Sequence, residues 1–283
     1  MTKVISNETV DPRVSAWWAT DIVEIQPNII NLRGYPIQQL IQKCSFVDTI
    51  WLLLRGELPA KSESILLEAA LISSVDHGPQ APSIAAARMA ATTGVGLNNA
   101  VATGVNLLGD VHGGAGQQCV SLLHQIHKRA DVSETSLDTA ADEIVAEYRA
   151  EKRFIPGFGH RFHQRDPRRD PLLSLVEKQV ESGLLDGWAL QAGKALESAL
   201  SRSSSRPIPM NIDGATAIIY AELGFTPELA RGLFVLSRGV GILAHAFEES
   251  QSGARIKGPI PKAYLAEYSG VSQRDVGTGG RER

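Results

Sequence analysis

Apolar residues recur at intervals of three and four over most of the chain that follows Ser45. This spacing is that of one face of an α-helix, whereas short β-branched runs are confined to residues 21–32. The pattern Ser45-x-x-Asp48 opens one helix as a capping box, and Gly56 ends it. A second start signal, a threonine before Pro227, opens a long apolar helix. The sequence therefore predicts an all-α chain with one small N-terminal hairpin.

Charge and hydropathy exclude several classes of protein. The 283 residues include 28 basic and 31 acidic side chains, so no overall positive field would recruit nucleic acid. No apolar run approaches the roughly 18 residues needed to span a bilayer. The N-terminal residues lack the apolar stretch of a secretory signal. We therefore expect a cytoplasmic protein with neither nucleic-acid nor membrane partners.

The two cysteines, Cys44 and Cys119, both lie in apolar helical patterns. Buried free thiols in a reducing compartment are the favoured interpretation, and a disulfide is the alternative.

Three segments have distinctive composition. The small residues of Ser83 to Leu108 favour close helix packing over a phosphate cradle, Ser201 to Ser205 is typical of a polar linker, and Gln273 to Arg283 is typical of a flexible tail.

Two local motifs suggest a cofactor or metal site but lack the residues that such sites require. Gly94-Val95-Gly96 has no third glycine at the dinucleotide-binding spacing and no strand before it. His124-x-x-His127 places two imidazoles on one helix face, without a Glu or Cys in a ligand pattern. The sequence favours solvent-facing histidines there, and it predicts no metal site.

Three short segments each place one acid/base side chain beside glycine or proline at a turn: His112 in GDVHGGA, His160 in GFGHR and Asp213 in PMNIDG. A group that moves protons must be held by backbone within hydrogen-bond reach of a substrate, and glycine lets backbone and ligand approach closely. Each residue alone has a plain structural alternative, a helix-capping aspartate or a histidine bonded to backbone. Together the three indicate an active site.

These segments resemble the active-site signature of the citrate synthase superfamily. The resemblance extends to further motifs: RGYPI from Arg33, LLLRGELP ending at Pro59, DPR ending at Arg168, and SRGVGILAH from Ser237 to His245. It implies a two-domain helical fold with an active cleft between the domains. The large domain would comprise residues 1–113 and 222–283, and residues 114–221 would form an inserted small domain.

The resemblance also implies roles for the three acid/base residues. Asp213 would remove a proton from the methyl group of acetyl-CoA, or return one in the cleavage direction. His112 would hydrogen-bond the thioester oxygen and stabilise the enolate. His160 would polarise the keto group in condensation, or take the hydroxyl proton in cleavage. Coenzyme A and acetyl-CoA would thus be substrates, and this chemistry requires no metal.

Further residues match the substrate-binding positions of the family. His77 corresponds to a histidine that hydrogen-bonds the keto acid, although a helix-terminal histidine is the alternative. Arg168 and Arg238 correspond to arginines that bind carboxylates, which suits a guanidinium because it pairs two carboxylate oxygens at once. Three arginines in the same loop are candidates for the phosphates of coenzyme A, with a solvated basic loop as the alternative: Arg161, Arg165 and Arg169.

One position departs from the family pattern. Synthases of the family usually carry an arginine before a proline after the SRGVGILAH segment, and it reaches a substrate carboxylate across the dimer interface. Here Gly258 precedes Pro259, and Arg255 and Lys257 are candidate replacements. The DHG motif at Asp76 and the NIDG motif also look closer to the citryl-CoA lyase module that ends ATP-citrate lyase.

The resemblance therefore predicts an acyl-CoA lyase, forming acetyl-CoA and a 2-keto acid such as oxaloacetate from citryl-CoA or a related 3-hydroxy-3-carboxyacyl-CoA. A citrate or 2-methylcitrate synthase is the alternative with the same fold. A non-catalytic regulator that binds coenzyme A or a carboxylate is a third. We also expect a homodimer through the apolar face of residues 234–247, beside the small-residue segment.

Overall fold

Helices account for most of the chain in the computed structural model, which describes residues 11–160 and 163–276. The prediction of a predominantly helical fold with one small hairpin is confirmed. Within the described residues, the elements in chain order are α1 (Pro12–Trp17), β1 (Val23–Gln26), β2 (Ile29–Leu32), β3 (Tyr35–Pro36), α2 (Ile37–Lys43), α3 (Phe46–Arg55), α4 (Lys61–Ser74), α5 (Pro82–Ala91), α6 (Leu97–Val105), α7 (Ala115–Ser133), α8 (Leu137–Ala150), α9 (Arg169–Glu181), α10 (Trp188–Ser203), α11 (Ile212–Glu222) and α12 (Pro227–Gln251).

The predicted hairpin consists of β1 and β2, which pair antiparallel with Ile25 opposite Ile30. Asn28 lies in the connecting turn at φ 65°, a left-handed conformation that asparagine tolerates better than most residues. Strand β3 extends the sheet antiparallel to β2. The hairpin therefore forms a small three-stranded sheet before the helical part of the chain.

Helix α3 begins and ends at the residues that the sequence predicts. The Ser45 hydroxyl accepts a hydrogen bond from the Asp48 amide at 3.1 Å, and the Asp48 carboxylate accepts one from the Ser45 amide at 2.8 Å. Gly56 adopts φ 93° and donates its amide hydrogen to the Leu52 carbonyl. The predicted capping box and glycine stop are both confirmed.

The main hydrophobic core surrounds α11. Every residue from Gly214 to Ala221 is buried, and the helix packs against α4, α7, α9 and α10. A helix that is apolar on all sides is stable only when other elements enclose it. Because α11 is enclosed in this way, Asp213 in its first turn has a fixed position.

A smaller core lies between α5, α6 and α12. A Cβ atom at Gly104 would lie 2.7 Å from a methyl group of Ile242 and 2.7 Å from the Ser83 carbonyl oxygen. Only glycine allows these helices to approach so closely. The prediction of close packing in the small-residue segment is thus confirmed.

Helix α12 has the length and apolar composition that a membrane span would need, the only such helix in the described ranges. Interior helices of globular proteins meet the same criterion. Here α12 contacts α4, α5, α6 and α7, and its buried residues include Arg238 and Glu249. Its apolar composition therefore fits a helix that packs within the fold.

The end of one helix and the exposure of one cysteine differ from the sequence-based expectations. Helix α10 continues through Ser203, where Arg202 binds Asp142 of α8 at 2.9 Å, so the predicted linker is wrong for its first three residues. The prediction of a buried thiol is confirmed for Cys119, but Cys44 is half-buried because it caps the C-terminus of α2. Both cysteines are free.

The histidine pair on α7 lies against an aromatic ring. The rings of His124 and His127 lie 4.7 and 5.2 Å from that of Trp188. His124 is exposed as predicted, whereas His127 is half-buried. Both imidazoles therefore lie against the Trp188 ring.

The division into two domains stays a prediction. The main core contains buried side chains from both proposed parts, such as Leu66 from the first and Leu123 from the second. The predicted flexible tail lies outside the described residues from position 277 onward.

Candidate active site

Backbone hydrogen bonds join the loop that carries His160 to the loop that precedes Asp213. The Gly159 amide donates to the Pro209 carbonyl at 2.8 Å, and the Asn211 amide donates to the Gly157 carbonyl at 3.0 Å. The Asn211 side chain also donates to the Gly159 carbonyl at 2.7 Å. Two of the three predicted catalytic segments therefore form one rigid unit.

Glycine is required where these two loops meet. Gly157 has φ +84°, and a Cβ atom there would lie 2.8 Å from the Cys119 sulfur. A Cβ atom at Gly214 would lie 2.5 Å from the Gly157 carbonyl oxygen. The GFGH and NIDG motifs thus owe their glycines to the close approach of two backbones.

Asp213 lies in the first turn of α11, behind a capping asparagine. The Asn211 side chain accepts hydrogen bonds from the amides of Asp213 and Gly214 at 2.9 and 3.4 Å. Burial raises the pKa of Asp213 above its usual range, although the positive charges of Arg238 and Arg168 oppose the shift. A carboxyl group with a raised pKa exchanges protons near neutral pH more readily than an exposed aspartate.

The proton on His112 is located by its hydrogen-bond partners on α5. Its Nε2 accepts from the Ser83 amide at 3.2 Å and lies 2.9 Å from the Ser83 hydroxyl. An amide can only donate, so Nε2 accepts with its lone pair and the neutral ring carries its hydrogen on Nδ1. Burial, followed by the charge of Arg238, lowers the pKa of His112. The ring is therefore a neutral donor through Nδ1.

His160 has the opposite tautomer. Its Nδ1 accepts from the His163 amide at 3.1 Å, which leaves the hydrogen on Nε2. Burial and then the charge of His163 lower the pKa of His160. The rings of His163 and His77 lie 4.5 and 6.1 Å from it, so the structure places His77 beside His160.

His77 follows the C-terminus of α4. Burial is the largest influence that lowers its pKa, and the charges of Arg238, Arg168 and His160 act in the same direction. All three predicted site histidines thus have lowered pKa values and favour the neutral form. They are able to serve as hydrogen-bond donors without adding positive charge.

Arg168 is held by the aspartate of its own DPR motif. Its Nε and Nη2 donate to the two Asp166 oxygens at 2.9 and 2.8 Å, and Nη1 donates to the Ser73 carbonyl. Asp166 is buried, and burial opposes its ionisation. Hydrogen bonds from Arg168 and the Ile212 amide nevertheless lower the pKa of Asp166 to about 2. This pair ties the arginine to the start of α11.

Arg238 is a buried cation. Only 5% of the residue is exposed, its Nε donates to the Ser74 carbonyl at 3.1 Å, and it lies over the Phe234 ring. Within the part of the chain that the structure describes, its guanidinium has no carboxylate within 4.0 Å. Asp213 and Asp76 favour its charge only from a greater distance. A buried cation without a direct ion pair is costly, so this position favours an anionic ligand.

Arg238 also links the parts of the site electrostatically. Its charge lowers the pKa values of His77 and His112 and counteracts the raised pKa of Asp213. These three side chains therefore lie within the field of one guanidinium. The structure thus places two predicted catalytic residues, His112 and Asp213, and the predicted binding residue His77 close enough to Arg238 to be affected by its charge.

Two adjoining cavities open beside His160. The first has a volume of about 470 Å³ and is lined by Asp76, His77, Gly78, Gln80, His160, His163 and Arg168. The second, of about 860 Å³, shares His160 and His163 and adds Arg165 and Arg206 among its lining residues. His112 and Asp213 line neither cavity.

The predicted phosphate-binding arginines have different surroundings. Arg165 lines the second cavity and is largely exposed, with an ion pair to Asp170 at 2.8 Å. Arg169 is nearly buried and pairs with Glu197 and Asp170, so its charge is already compensated. Arg161 lies outside the described residues.

Sequence reasoning missed three residues of the site. Arg206 lies just beyond the predicted polar linker, and His163 lies three residues after a recognised histidine. Ser83 begins the small-residue segment, and nothing local signals its contact with His112. Across the described ranges, no group of three or more His, Cys, Asp or Glu side chains is arranged to hold a metal ion.

Comparison with known proteins identifies the family. A family model described as the C-terminal domain of citrate synthase matches residues 13–65 and 60–259. The chain is similar to the structure of citryl-CoA lyase from Hydrogenobacter thermophilus, with a TM-score of 0.79 and 32% identity over 92% of this chain and 97% of that one. It shares its fold with ATP citrate lyase from Methanothrix soehngenii, solved in complex with citrate and coenzyme A, at a TM-score of 0.75 and 19% identity over 95% of this chain and 46% of that one.

Curated sequences add relatives with a second activity. Citrate synthase from Mycolicibacterium smegmatis is 30% identical over 224 residues, which is 78% of this chain and 54% of that protein. A 2-methylcitrate synthase from Mycobacterium tuberculosis is 30% identical over 222 residues, covering 77% of this chain and 51% of the relative. The chain thus spans about half the length of the curated relatives it matches. By its motifs, its fold and these matches, the chain belongs to the citrate synthase family.

Proposed function

We propose that the chain is a carbon–carbon lyase of the citryl-CoA type, which cleaves a 3-hydroxy-3-carboxyacyl-CoA to acetyl-CoA and a 2-keto acid. The buried Arg238 carries this proposal, because its guanidinium has no carboxylate partner among the described residues and acts on His77, His112 and Asp213. Similarity to a citryl-CoA lyase over nearly the whole of both chains supports it.

The three acid/base groups divide the reaction between them. Because Nε2 of His160 already carries a hydrogen, the hydroxyl proton goes to Nδ1, where the substrate hydroxyl replaces the His163 amide. The ring becomes an imidazolium and later returns this proton to solvent. The bond between the hydroxyl-bearing carbon and the acyl carbon then breaks, and its electron pair moves into the thioester as an enolate. His112 donates a hydrogen bond from Nδ1 to the enolate oxygen. Protonated Asp213 gives its hydrogen to the enolate carbon, and acetyl-CoA forms.

The raised pKa of Asp213 suits this direction of reaction. Because burial raises the pKa of Asp213, its protonated form persists to higher pH than that of an exposed aspartate, and this form is able to protonate the enolate carbon. The neutral state of His112 suits the same step, because a neutral donor stabilises an enolate oxygen without protonating it fully. The reverse sequence of the same transfers describes condensation.

We assign the two substrates to the two cavities. The keto acid would occupy the smaller one, where His77 and Arg168 lie beside His160 and where Arg238 supplies the nearby buried charge. The coenzyme A moiety would occupy the larger one, with Arg165 and Arg206 available to its phosphates. A role for Arg161 stays a prediction.

Citrate or 2-methylcitrate synthesis is the second candidate, favoured by the names of the curated relatives. That activity condenses an acyl-CoA with oxaloacetate and then hydrolyses the thioester. A non-catalytic regulator is less suited to the site, because binding alone requires neither a carboxyl group with a raised pKa nor histidines with lowered pKa values.

The structure narrows the candidates that replace the family arginine at Gly258. The Lys257 ammonium binds the buried Glu249 carboxylate of its own chain at 2.8 Å, which neutralises its charge. Arg255 is exposed and has no ion pair among the described residues. Of the two candidates, only Arg255 has a charge that no carboxylate among the described residues neutralises, so we infer that it is the one to test as a replacement.

We further propose a cytoplasmic homodimer that forms through α12. Four side chains on one stripe of this helix are 44–58% exposed: Leu236, Val240, Leu243 and Phe247. Their spacing of four, three and four residues keeps them on one face, and the helix contacts the small-residue helices α5 and α6. A second copy of the same stripe would cover these side chains in a two-fold interface.

The products formed from citryl-CoA test the proposed activity. The purified chain is incubated with citryl-CoA, and the coenzyme A species are separated by chromatography. We expect acetyl-CoA and oxaloacetate in equal amounts. Release of free coenzyme A with citrate would instead establish thioester hydrolysis, and unchanged citryl-CoA would contradict catalysis.

A further inference from the structure

A chain of polar contacts runs from the turn before His77 to the segment that follows α12. It begins at Asp76, whose carboxylate lies 3.2 Å from Nε2 of His245 on α12. Nδ1 of His245 lies 3.0 Å from Nη1 of Arg88 on α5. None of these three residues has a part in the proton transfers described above.

The direction of each hydrogen bond in this chain is determined by Arg88. A guanidinium only donates, so Nδ1 of His245 accepts and the neutral ring carries its hydrogen on Nε2. That hydrogen is donated to the Asp76 carboxylate. Although burial opposes ionisation, this hydrogen bond and those from the His77 and Gly78 amides lower the pKa of Asp76.

The series of polar contacts ends, on the side away from His77, in a cluster of ion pairs around a buried carboxylate. Glu249 is 1% exposed and binds Arg88 at 2.5 Å and Lys257 at 2.8 Å. The segment that carries Lys257 is held to the end of α5, because the amides of Ile256 and Lys257 donate to Thr92. Arg88 therefore has a fixed position, and its hydrogen bond to Nδ1 of His245 fixes the imidazole in turn.

The near end of the chain determines the shape of the turn that presents His77. The Asp76 carboxylate accepts from the Gly78 amide at 3.2 Å, and Gly78 has φ +78°. A Cβ atom at Gly241 of α12 would lie 2.3 Å from the Val75 carbonyl oxygen. The turn thus packs closely against α12, and the contact with His245 fixes the Asp76 carboxylate.

We propose that His245 is a positioning residue for His77. Glu249 and Lys257 fix Arg88, and Arg88 fixes the His245 ring. The ring in turn holds the Asp76 carboxylate, and with it the turn that presents His77 to the smaller cavity. The inference rests on the proposed function only in that His77 binds the keto acid. It assigns to His245 no contact with the substrate.

The test compares His245→Phe with His245→Gln. Phenylalanine keeps a ring but removes both polar atoms, whereas glutamine retains one acceptor and one donor. Exchange of the Gly78 amide hydrogen is measured by NMR, and oxaloacetate and coenzyme A binding by calorimetry. For His245→Phe we expect amide exchange about tenfold faster and an oxaloacetate Kd about tenfold higher. Coenzyme A binding should be unchanged, and His245→Gln should restore both values.

Two matched pairs separate positioning from general destabilisation. His127→Phe removes another histidine that pairs with an aspartate, on the surface at 3.5 Å, and should change neither readout. Glu249→Gln should accelerate Gly78 exchange as His245→Phe does. Glu248→Gln should not, because the Glu248 carboxylate on the same arginine is 69% exposed.

Each outcome decides one claim. Unchanged Gly78 exchange in His245→Phe and Glu249→Gln, or equal changes in His127→Phe, would overturn the proposal. Faster exchange with an unaltered oxaloacetate Kd would also overturn it, since the turn would then not matter to the ligand. If the wild type binds no oxaloacetate, the proposed function fails, and Gly78 exchange alone decides whether His245 holds the turn.

Discussion

At His112 and His160, a backbone amide determines which ring nitrogen carries the hydrogen. The Ser83 amide occupies Nε2 of His112, and the His163 amide occupies Nδ1 of His160. One ring therefore donates through Nδ1 and the other through Nε2. Two identical side chains thus acquire different directions of proton donation from the loops that hold them.

The lowered pKa values of the site histidines predict a defined pH dependence of stability. Burial lowers the pKa values of His77, His112 and His160 below 6.5. The unfolded chain then binds more protons than the folded one just below pH 6.5. This stabilisation is complete above about pH 6.5 and is lost as the pH falls through the folded-state pKa values.

Denaturant unfolding between pH 5 and 7.5 measures this effect, with His112→Asn as the comparison. We expect the unfolding free energy of the wild type to fall with pH more steeply than that of the variant. Equal slopes for the two proteins would show that His112 is not held neutral in the fold.

The glycine at position 258 leads us to predict which keto acid the enzyme prefers. Without the family arginine, a fully charged citryl group loses one charge-assisted contact, worth about 1.5–3 kcal/mol. The wild type should therefore have a lower kcat/KM for oxaloacetate than for a 2-keto acid that has one carboxylate fewer, while citryl-CoA remains a substrate. Gly258 lacks a positive φ, and its Cβ position is 3.6 Å from the nearest atom, so Gly258→Arg is sterically permitted.

The measurement is kcat/KM for both acids in the wild type, in Gly258→Arg and in the uncharged control Gly258→Gln. We expect the arginine variant alone to gain about tenfold or more with oxaloacetate. A strong preference of the wild type for oxaloacetate would instead assign the missing charge to another cation, with Arg255 the first to replace.

At the scale of elements, the sequence predicts helix ends that depend on neighbouring residues. The capping box of α3 and the start of α12 depend on residues a few positions apart, so the sequence alone locates them. Cys44 is different, because its exposure depends on where α2 ends. The contact of Ser83 with His112 joins residues 29 apart, and no local pattern contains it.

Gly214→Ala tests the contact between the loop that carries His160 and the loop that precedes Asp213. The new Cβ atom would lie 2.5 Å from the Gly157 carbonyl oxygen, so the loops must separate. We expect a loss of about 1–3 kcal/mol in unfolding free energy, together with a lower kcat. The change is measured by denaturant unfolding and steady-state kinetics.

Gly183→Ala is the matched control for this variant. Gly183 has φ +72° with no atom within 4 Å of a Cβ, and it lines neither cavity. Alanine there should cost about 1–2 kcal/mol through backbone strain and leave kcat unchanged. Equal kcat losses in the two variants would show that stability, and not loop geometry, governs activity.

At the scale of the whole molecule, the site depends on contacts between distant parts of the chain. Arg238 of α12 acts on Asp213 of α11 and on His77 after α4. The family motifs identify these residues, but their surroundings follow from packing. The pairing of Arg88 with Glu249 joins α5 to α12, and no spacing in the sequence predicts it.

The exposed stripe on α12 predicts a homodimer. Obligate dimers commonly bury more than about 2,000 Å², and charge at the centre of such an interface opposes association. Light scattering should give twice the 30.4 kDa chain mass for the wild type and a reduced mass for Leu243→Glu. Val132→Glu, at an exposed apolar position on α7, should remain dimeric. A stable and active wild-type monomer would contradict the interface.

Cleavage of citryl-CoA in D₂O tests the central claim most directly, because the final step delivers a solvent-derived hydrogen from Asp213 to the enolate carbon. Mass spectrometry should find deuterium in the methyl group of the acetyl-CoA formed. Asp213→Asn should fold and bind coenzyme A, but form this product about 10²–10⁴-fold more slowly. Acetyl-CoA without deuterium, or a wild-type rate in Asp213→Asn, would contradict the account.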